Sequence, residues 1–238
     1  FAPDSWDALI QEMAKQGYDK RDLLDAGLAV SNKDGRIYDR FRNRVIFPII
    51  DVRGGVIGFG GRVMDDSTPK YLNSPDTPVY NKSRNLFALN IAKKSKAGRV
   101  ILTEGYMDAI ALHQAGFDNA VASLGTSLTE EHAQLLSRYF KDAILSYDGD
   151  GAGIAAAQRA IPILEKAGLK VRVLRVTGAK DPDEFIKTHG RDAFARLLDK
   201  SENQVDYRLA QLQSKFDLTD DAQKVAFLQE AAQLIAAR

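Results

Sequence analysis

The chain of 238 residues contains no cysteine. That excludes a disulfide framework and a thiolate zinc site, and it fits a reducing, cytoplasmic setting. No apolar run is long enough to span a bilayer, and the opening Phe1-Ala2-Pro3-Asp4-Ser5-Trp6 offers neither a basic leader nor an apolar signal segment. No membrane partner is therefore expected. Histidine is scarce: His113, His132 and His189 are far apart, and each is expected at a surface or helix position. Internal repeats and low-complexity segments are absent. What is present, 45% hydrophobic and 27% charged residues, describes a globular chain able to bury a sizeable core in one large domain or two or three smaller ones.

The net charge of +1 conceals an asymmetry. Residues 36–99 hold thirteen Lys and Arg against five Asp and Glu, a net of +8 that leaves −7 for the remainder. A basic module is joined to an acidic one. Such a division is a common footprint of nucleic-acid binding, although a charged, solvated face explains many basic stretches equally well.

Hydrophobic spacing gives three zones. A helix from Asp4 carries Trp6, Leu9, Ile10 and Met13 on one stripe, and a second helix runs from Asp19 to near Gly27. Residues 45–50 and 56–60, joined through Arg53-Gly54-Gly55, read as a hairpin whose Pro48 places its strand at an edge or bulge. The polar stretch 65–82 reads as an ordered loop crossing between modules. From Arg99 the pattern becomes strand, helix, strand, helix, with strands at 100–103, 119–123, 143–147 and 170–176 and helices near 106–115, 129–139 and 152–167. That alternation predicts a parallel sheet with right-handed crossovers. The tail beyond Pro182 reads as helical.

Two short acidic clusters carry the chemistry. Glu104 closes the apolar run Val100-Ile101-Leu102-Thr103, and Asp148 with Asp150 closes Ala143-Ile144-Leu145-Ser146-Tyr147. In a parallel sheet the carboxyl ends of neighbouring strands face one crevice, so these side chains can converge across more than forty residues. Two unit charges about 5 Å apart repel by roughly 3 kcal/mol at an effective dielectric of about 20, so such a cluster calls for a cation. Oxygen-only ligation suits Mg²⁺ or Mn²⁺, which keep waters and accept phosphate oxygens. Asp108, four residues beyond Glu104, can face back toward the cluster from a helix. The bland accounts are a helix-dipole carboxylate for Glu104 and an Asx turn for the Asp pair. Gly105 and Gly151 with Gly153 would leave room for phosphate or ion to approach the turns. If residues 40–44 are extended, Arg40, Arg42 and Arg44 share one face as a phosphate track. Lys70, Asn73, Lys82 and Arg84 add donors from the following loop, and Tyr71 and Tyr80 are candidates either for stacking on bases or for core packing.

Glu104-Gly105-Tyr106-Met107-Asp108, then Ala122-Ser123-Leu124-Gly125-Thr126, then Tyr147-Asp148-Gly149-Asp150-Gly151-Ala152-Gly153 resemble the Toprim metal-binding domain. Upstream, Arg40-Phe41-Arg42-Asn43-Arg44-Val45-Ile46-Phe47-Pro48, Gly58-Phe59-Gly60-Gly61-Arg62 and Pro69-Lys70-Tyr71-Leu72-Asn73-Ser74-Pro75 resemble bacterial DNA primase in particular. The resemblance implies an α/β fold: a parallel-sheet, Rossmann-like Toprim domain at 99–184. It would be flanked by a partial α+β basic subdomain at 1–98 for template and nucleotide, and by a partial helical subdomain at 185–238. It also implies that Glu104, Asp148 and Asp150 are catalytic metal ligands, with Asp108, Asp181 and Asp183 as further members of the acidic set, although Asp181-Pro182 also reads simply as a helix cap. The activity implied is synthesis of short RNA primers from ribonucleoside triphosphates on single-stranded DNA, through an RNA–DNA hybrid, by a cytoplasmic monomer using Mg²⁺ or Mn²⁺ and no zinc. The alternatives are a Toprim nuclease and a non-catalytic, DNA-binding recombination mediator. Lacking cysteine and ending soon after the helical tail, the chain is expected to be an excised core. The zinc-binding module and the module that docks the replicative helicase would then lie outside it.

Overall fold

The computed structural model describes residues 1–176 and 178–236. Thr177, which follows the expected strand 170–176, and Ala237 and Arg238, which end the expected helical tail, lie outside the described residues. The N-terminal part forms α1 (Ala8–Lys15), α2 (Lys20–Asp25), β1 (Ala29–Ser31), β2 (Ile37–Asp39), β3 (Arg44–Ile50), β4 (Val56–Val63), β5 (Tyr71–Asn73) and α3 (Leu89–Ala92). Strands and helices then alternate through β6 (Arg99–Thr103), α4 (Tyr106–Gln114), β7 (Ala120–Ala122), α5 (Glu130–Ser137), β8 (Asp142–Leu145), α6 (Gly151–Lys166) and β9 (Lys170–Val173). The tail holds α7 (Pro182–His189), α8 (Arg191–Asp199), β10 (Glu202–Asn203), α9 (Gln204–Gln213) and α10 (Asp221–Ala236).

The first helix begins later than the apolar stripe suggested. Ala2 exchanges backbone hydrogen bonds with Arg44 (2.8 and 3.1 Å), which holds the first residues extended. The first-turn amides of α1 are capped from a distance: Leu9 and Ile10 donate to the carboxylate of Asp39 at 2.7 and 3.1 Å. α2 carries a reciprocal cap in which Asp19 accepts from Arg21 and Asp22 while the Asp22 carboxylate accepts from the Asp19 amide.

The basic half is built on the antiparallel sheet β3-β4-β5. Pro48 sits on its edge strand, as a residue without an N–H must. The Asp51 carboxylate closes the hairpin by accepting from the amides of Arg53 and Gly55 at 2.9 and 2.8 Å. The expectation of a loop from 65 to 82 is corrected, because Tyr71–Asn73 pairs with Gly60–Arg62 as the third strand. Its three residues are too few for a polar stretch to show periodicity.

The second sheet has the order β10-β9-β8-β6-β7, with β6 to β9 parallel. Alternation sorts the strand residues between two cores. Val100, Leu102, Ala143 and Leu145 pack with Leu136 of α5 and Ile161 of α6 on one face. Ile101 and Ile144 pack with Leu112 of α4 and Phe194 of α8 on the other. The result is a helix–sheet–helix sandwich in which β6 and β8 are covered on both faces, the reason both read as unbroken apolar runs. The tail is not wholly helical: β10 adds an antiparallel edge to β9.

Candidate active site

The parallel register pairs Leu102 with Leu145, so Glu104 and Asp148 emerge two and three residues beyond paired positions at the carboxyl end of the sheet. The turns that carry them are tied in place. The Thr103 hydroxyl shares its one hydrogen between the Gly105 and Val121 carbonyls at 3.1 and 3.3 Å, and the Ser123 hydroxyl donates to the Glu104 carbonyl at 3.1 Å. Across the two strand ends, the Asp148 amide donates to Glu104 Oε1 at 3.2 Å.

Glu104, Asp108, Asp148, Asp181 and Asp183 line one cavity of about 560 Å³, faced by Arg62 and Lys70 with Tyr71 and Asn73. Burial, and then the charges of Asp181, Asp148 and Asp183, push the Asp108 carboxyl up to about 7. Glu104 is raised by burial and by Asp148 and Asp150, against the lowering effect of the Asp148 amide and the Arg159 charge. Asp148 is raised by burial and by Asp181 and Asp150. Each carboxyl thus resists ionising beside its neighbours.

The other sequence candidates fall differently. Asp150 caps α6, its Oδ1 accepting from the Gly153 amide at 2.8 Å, and it does not line the shared cavity. Asp181 is both a cap, accepting from the Glu184 amide at 2.8 Å, and a member of the cavity wall. The three arginines do not form an open track. Asn43 adopts a left-handed φ of 47° that breaks the alternation on which the shared face depended. The Arg40 guanidinium is spent on the Asn73 carbonyl (2.8 Å), and Arg44 is buried and donates to the Lys70 carbonyl (3.4 Å). Arg42 donates to the Asp39 carbonyl and lies 4.1 Å from the centre of the Trp6 ring. Lys82 and Arg84 sit beside the start of α5, outside the cavity, where His132 takes the carbonyls of Lys82 and Asn85. His132 is on a helix and fully buried. Tyr80 is 1% exposed and belongs to the core, whereas Tyr71 is 41% exposed and edge-on to Tyr106.

Gly153 serves a different end from the phosphate approach that its position suggested. A Cβ there would lie 2.2 Å from the Asp148 carbonyl oxygen and 2.7 Å from Glu104 Oε1, so only glycine lets the two acidic turns close against α6. Arg62 and Lys187 line the cavity without having been singled out. Arg62 was legible, since Gly58, Gly60 and Arg62 share one face of β4 and a Cβ at Gly60 would press on Tyr106 at 3.1 Å. Lys187 was legible as the i+4 partner of Asp183, 2.6 Å away.

A hard divalent cation fits this donor set. Among the described residues no three carboxylates are drawn together closely enough to hold an ion as they stand. Mg²⁺, however, takes only one or two carboxylates and fills its remaining positions with water and phosphate oxygens. Arg62 Nε, Asn73 Oδ1 and Tyr106 OH are buried without partners among the described residues, and all three belong to the cavity wall. Such orphaned atoms suit a polar occupant.

The same chain matches known families along its length. Residues 1–93 match the DNA primase catalytic core, N-terminal domain, and residues 101–186 match the Toprim-like family. The DNA primase of Clostridium acetobutylicum is 46% identical over 236 residues, 99% of this chain. The chain belongs to the DNA primase family. The Escherichia coli K12 DNA primase is 45% identical over 207 residues, covering 84% of the chain. The chain spans 39% and 36% of the lengths of these two primases. Among solved structures, the E. coli primase catalytic core superposes with a TM-score of 0.85 at 41% identity, covering 99% of this chain and 77% of that one. The DnaG primase catalytic domain bound to ssDNA gives 0.86 at 40%, covering 99% and 78%. Residues 205–237 match the DnaB-helicase binding domain of primase. This corrects the expectation that the helicase-docking module lies wholly outside the chain. That match begins in α9 and takes in α10, whose Val225, Leu228 and Ile235 are exposed.

In an open helix Gly→Ala gains about 0.5–1 kcal/mol, but the overpacking at Gly153 costs about 1–3 kcal/mol. Gly153→Ala should therefore lower stability in urea denaturation while Gly151→Ala, where a Cβ meets nothing within 4 Å, does not; equal behaviour of the two variants would contradict the close approach. Asp108 binds its proton more tightly when folded (about 7) than at its ordinary value of 3.8, so stability falls as pH rises through that window. Without divalent ions, Asp108→Asn should exceed the wild type by on the order of 1–3 kcal/mol at about pH 8 and by little at about pH 4. Parallel pH profiles of Tm would refute that assignment.

Proposed function

We propose that the chain is the catalytic core of a primase that makes short RNA primers on a single-stranded DNA template. The reading is carried by one observation: a wall of carboxylates and a wall of Arg62, Lys70 and Asn73 face each other across one cavity. Nucleic-acid phosphates need cationic donors, and their transfer needs anionic ligands for a metal ion. Both are within reach of one nucleotide. Primase cores with a Toprim domain generally use a divalent metal.

Glu104 and Asp148 are the residues to hold Mg²⁺ or Mn²⁺, with Asp108, Asp181 and Asp183 setting the field around them. When bound, the ion offsets the charge that develops on the phosphoryl oxygens and favours the ionised form of the attacking hydroxyl. Asp150 acts by fixing the start of α6 and by its charge. Lys70 and Arg62 bind and orient the triphosphate of the incoming ribonucleotide, and Asn73 and the exposed Tyr71 line the same cavity. In the bond-forming step the 3′-oxygen attacks the α-phosphorus, the α–β bridging bond breaks, pyrophosphate leaves, and the hydroxyl proton is released.

The division of labour follows the charge: residues 1–98 hold template and nucleotide, 99–184 carry the acidic site, α7 and α8 cover one face of its sheet, and 205–237 dock the replicative helicase. Such a core works as a cytoplasmic monomer. Asp148→Asn is expected to lower incorporation of labelled ribonucleotides on a single-stranded template about 100-fold or more while leaving DNA binding within about twofold. Unchanged synthesis at limiting Mg²⁺, or cleavage of the template without synthesis, would overturn the assignment.

A further inference from the structure

The segment that crosses from the basic sheet to the acidic domain is gripped by the start of α5, and the fully buried His132 is the centre of that grip. Its Nδ1 accepts from the Thr129 amide at 3.2 Å. An amide N–H can only donate, so the one hydrogen of the neutral ring belongs to Nε2. Nε2 shares that hydrogen between the Lys82 and Asn85 carbonyls, at 2.9 and 3.0 Å. The Thr129 hydroxyl donates to a third carbonyl of the same turn, that of Ser83, at 2.7 Å, while its oxygen accepts from the His132 amide at 3.1 Å. On its other side the turn is closed by Asp76, which accepts from the Lys82 amide at 3.0 Å, and by Asn81, which accepts from the Ser83 amide at 2.9 Å. Capping α5 needs only the reciprocal bonds between Thr129 and His132. Three further bonds to a turn 46 to 50 residues earlier are not part of a cap. That turn carries Lys82, partly buried, and Arg84, exposed, and neither enters a salt bridge among the described residues.

We infer that His132 is a positioning residue for template binding: by holding the Lys82 and Asn85 carbonyls it fixes the turn 81–85, so that Lys82 and Arg84 stand as prearranged contacts to nucleic-acid phosphates. This role rests on the primase reading, in which residues 1–98 hold the template. A cation on a loose loop gives up conformational freedom when it meets a phosphate, and one on a turn already tied down gives up less. His132 touches no substrate itself, and it acts through the backbone of the turn.

The two ring nitrogens can be separated by substitution. His132→Gln keeps a donor at the reach of Nε2, whereas His132→Asn keeps an acceptor in the place of Nδ1 and falls short of the carbonyls. The test is binding of a fluorescent single-stranded oligonucleotide to the full chain, read by anisotropy in Mg²⁺ over a series of salt concentrations. Lys82→Ala with Arg84→Ala should weaken binding about tenfold and, at about 0.7 for each lost phosphate contact, flatten the slope of log K against log salt by about 1.4. His132→Asn should weaken binding about threefold or more, flatten the slope in the same sense, and add little when combined with the Lys82 and Arg84 substitutions. His132→Gln should stay within about twofold of the wild type. Thr129→Val, which removes the bond to Ser83, should follow His132→Asn, and it carries the test if circular dichroism shows that His132→Asn does not fold. A residue that serves only the cap would give the reverse order, with Asn tolerated and Gln not. That order, equal loss in the Gln and Asn variants, wild-type binding by Lys82→Ala with Arg84→Ala, or wild-type binding by both His132→Asn and Thr129→Val overturns the role. Because binding is read without turnover, such a failure is separable from failure of the primase reading, which shows as absent ribonucleotide incorporation by the wild type.

Discussion

The contact between Glu104 Oε1 and the Asp148 amide organises the site. It joins the ends of β6 and β8, whose parallel pairing and two-sided burial leave neither strand free to slide. A slip of β6 by one residue would carry Ile101 from one core to the other and would turn Glu104 away from the crevice. The contact also requires Gly153, because the first turn of α6 presses against both acidic turns. Sheet register, one glycine and one amide therefore set where two repelling carboxylates must stand.

That arrangement carries strain in its charges rather than in its backbone. Burial and mutual repulsion raise Glu104, Asp108 and Asp148 together, and a cation is the simplest relief. The basic sheet is held against this centre by two devices. Tyr106, at the start of α4, packs between Phe47, Tyr71 and Phe87 with ring centres 5.4 to 5.6 Å away, and Asn73 Nδ2 donates to the Leu124 carbonyl at 3.0 Å. The cationic wall is thereby fixed opposite the carboxylates by aromatic packing and one side-chain bond. Arg62 is placed by β4, and Lys70 stands just before β5 with its carbonyl accepting from the Val63 amide at 3.2 Å.

Much of this was legible in the chain itself. The apolar runs ending in Glu104 and in Asp148 were readable because strands covered on both faces need no polar alternation, and the order of strands and helices follows from the same runs. Pro48 marked an edge strand for want of its N–H. What stayed hidden depended on contacts remote in sequence. Asp39 caps a helix thirty residues earlier, and β5 is too short for its pattern to show. Asn43 breaks an alternation that looked intact, and Tyr80 turns inward under Ser74 and Gly58. The arginines illustrate the point. Their charge was visible, but the carbonyls of Asn73 and Lys70 that occupy Arg40 and Arg44 were not.

The central claim, that the carboxyl ends of β6 and β8 form a divalent-cation site, is met most directly by Mn²⁺ titration followed by electron paramagnetic resonance. The wild type should take up Mn²⁺, and Glu104→Gln should weaken that uptake about tenfold or more while leaving the far-ultraviolet circular dichroism unchanged. Equal Mn²⁺ affinity in the two proteins, or no uptake by the wild type, would contradict the account.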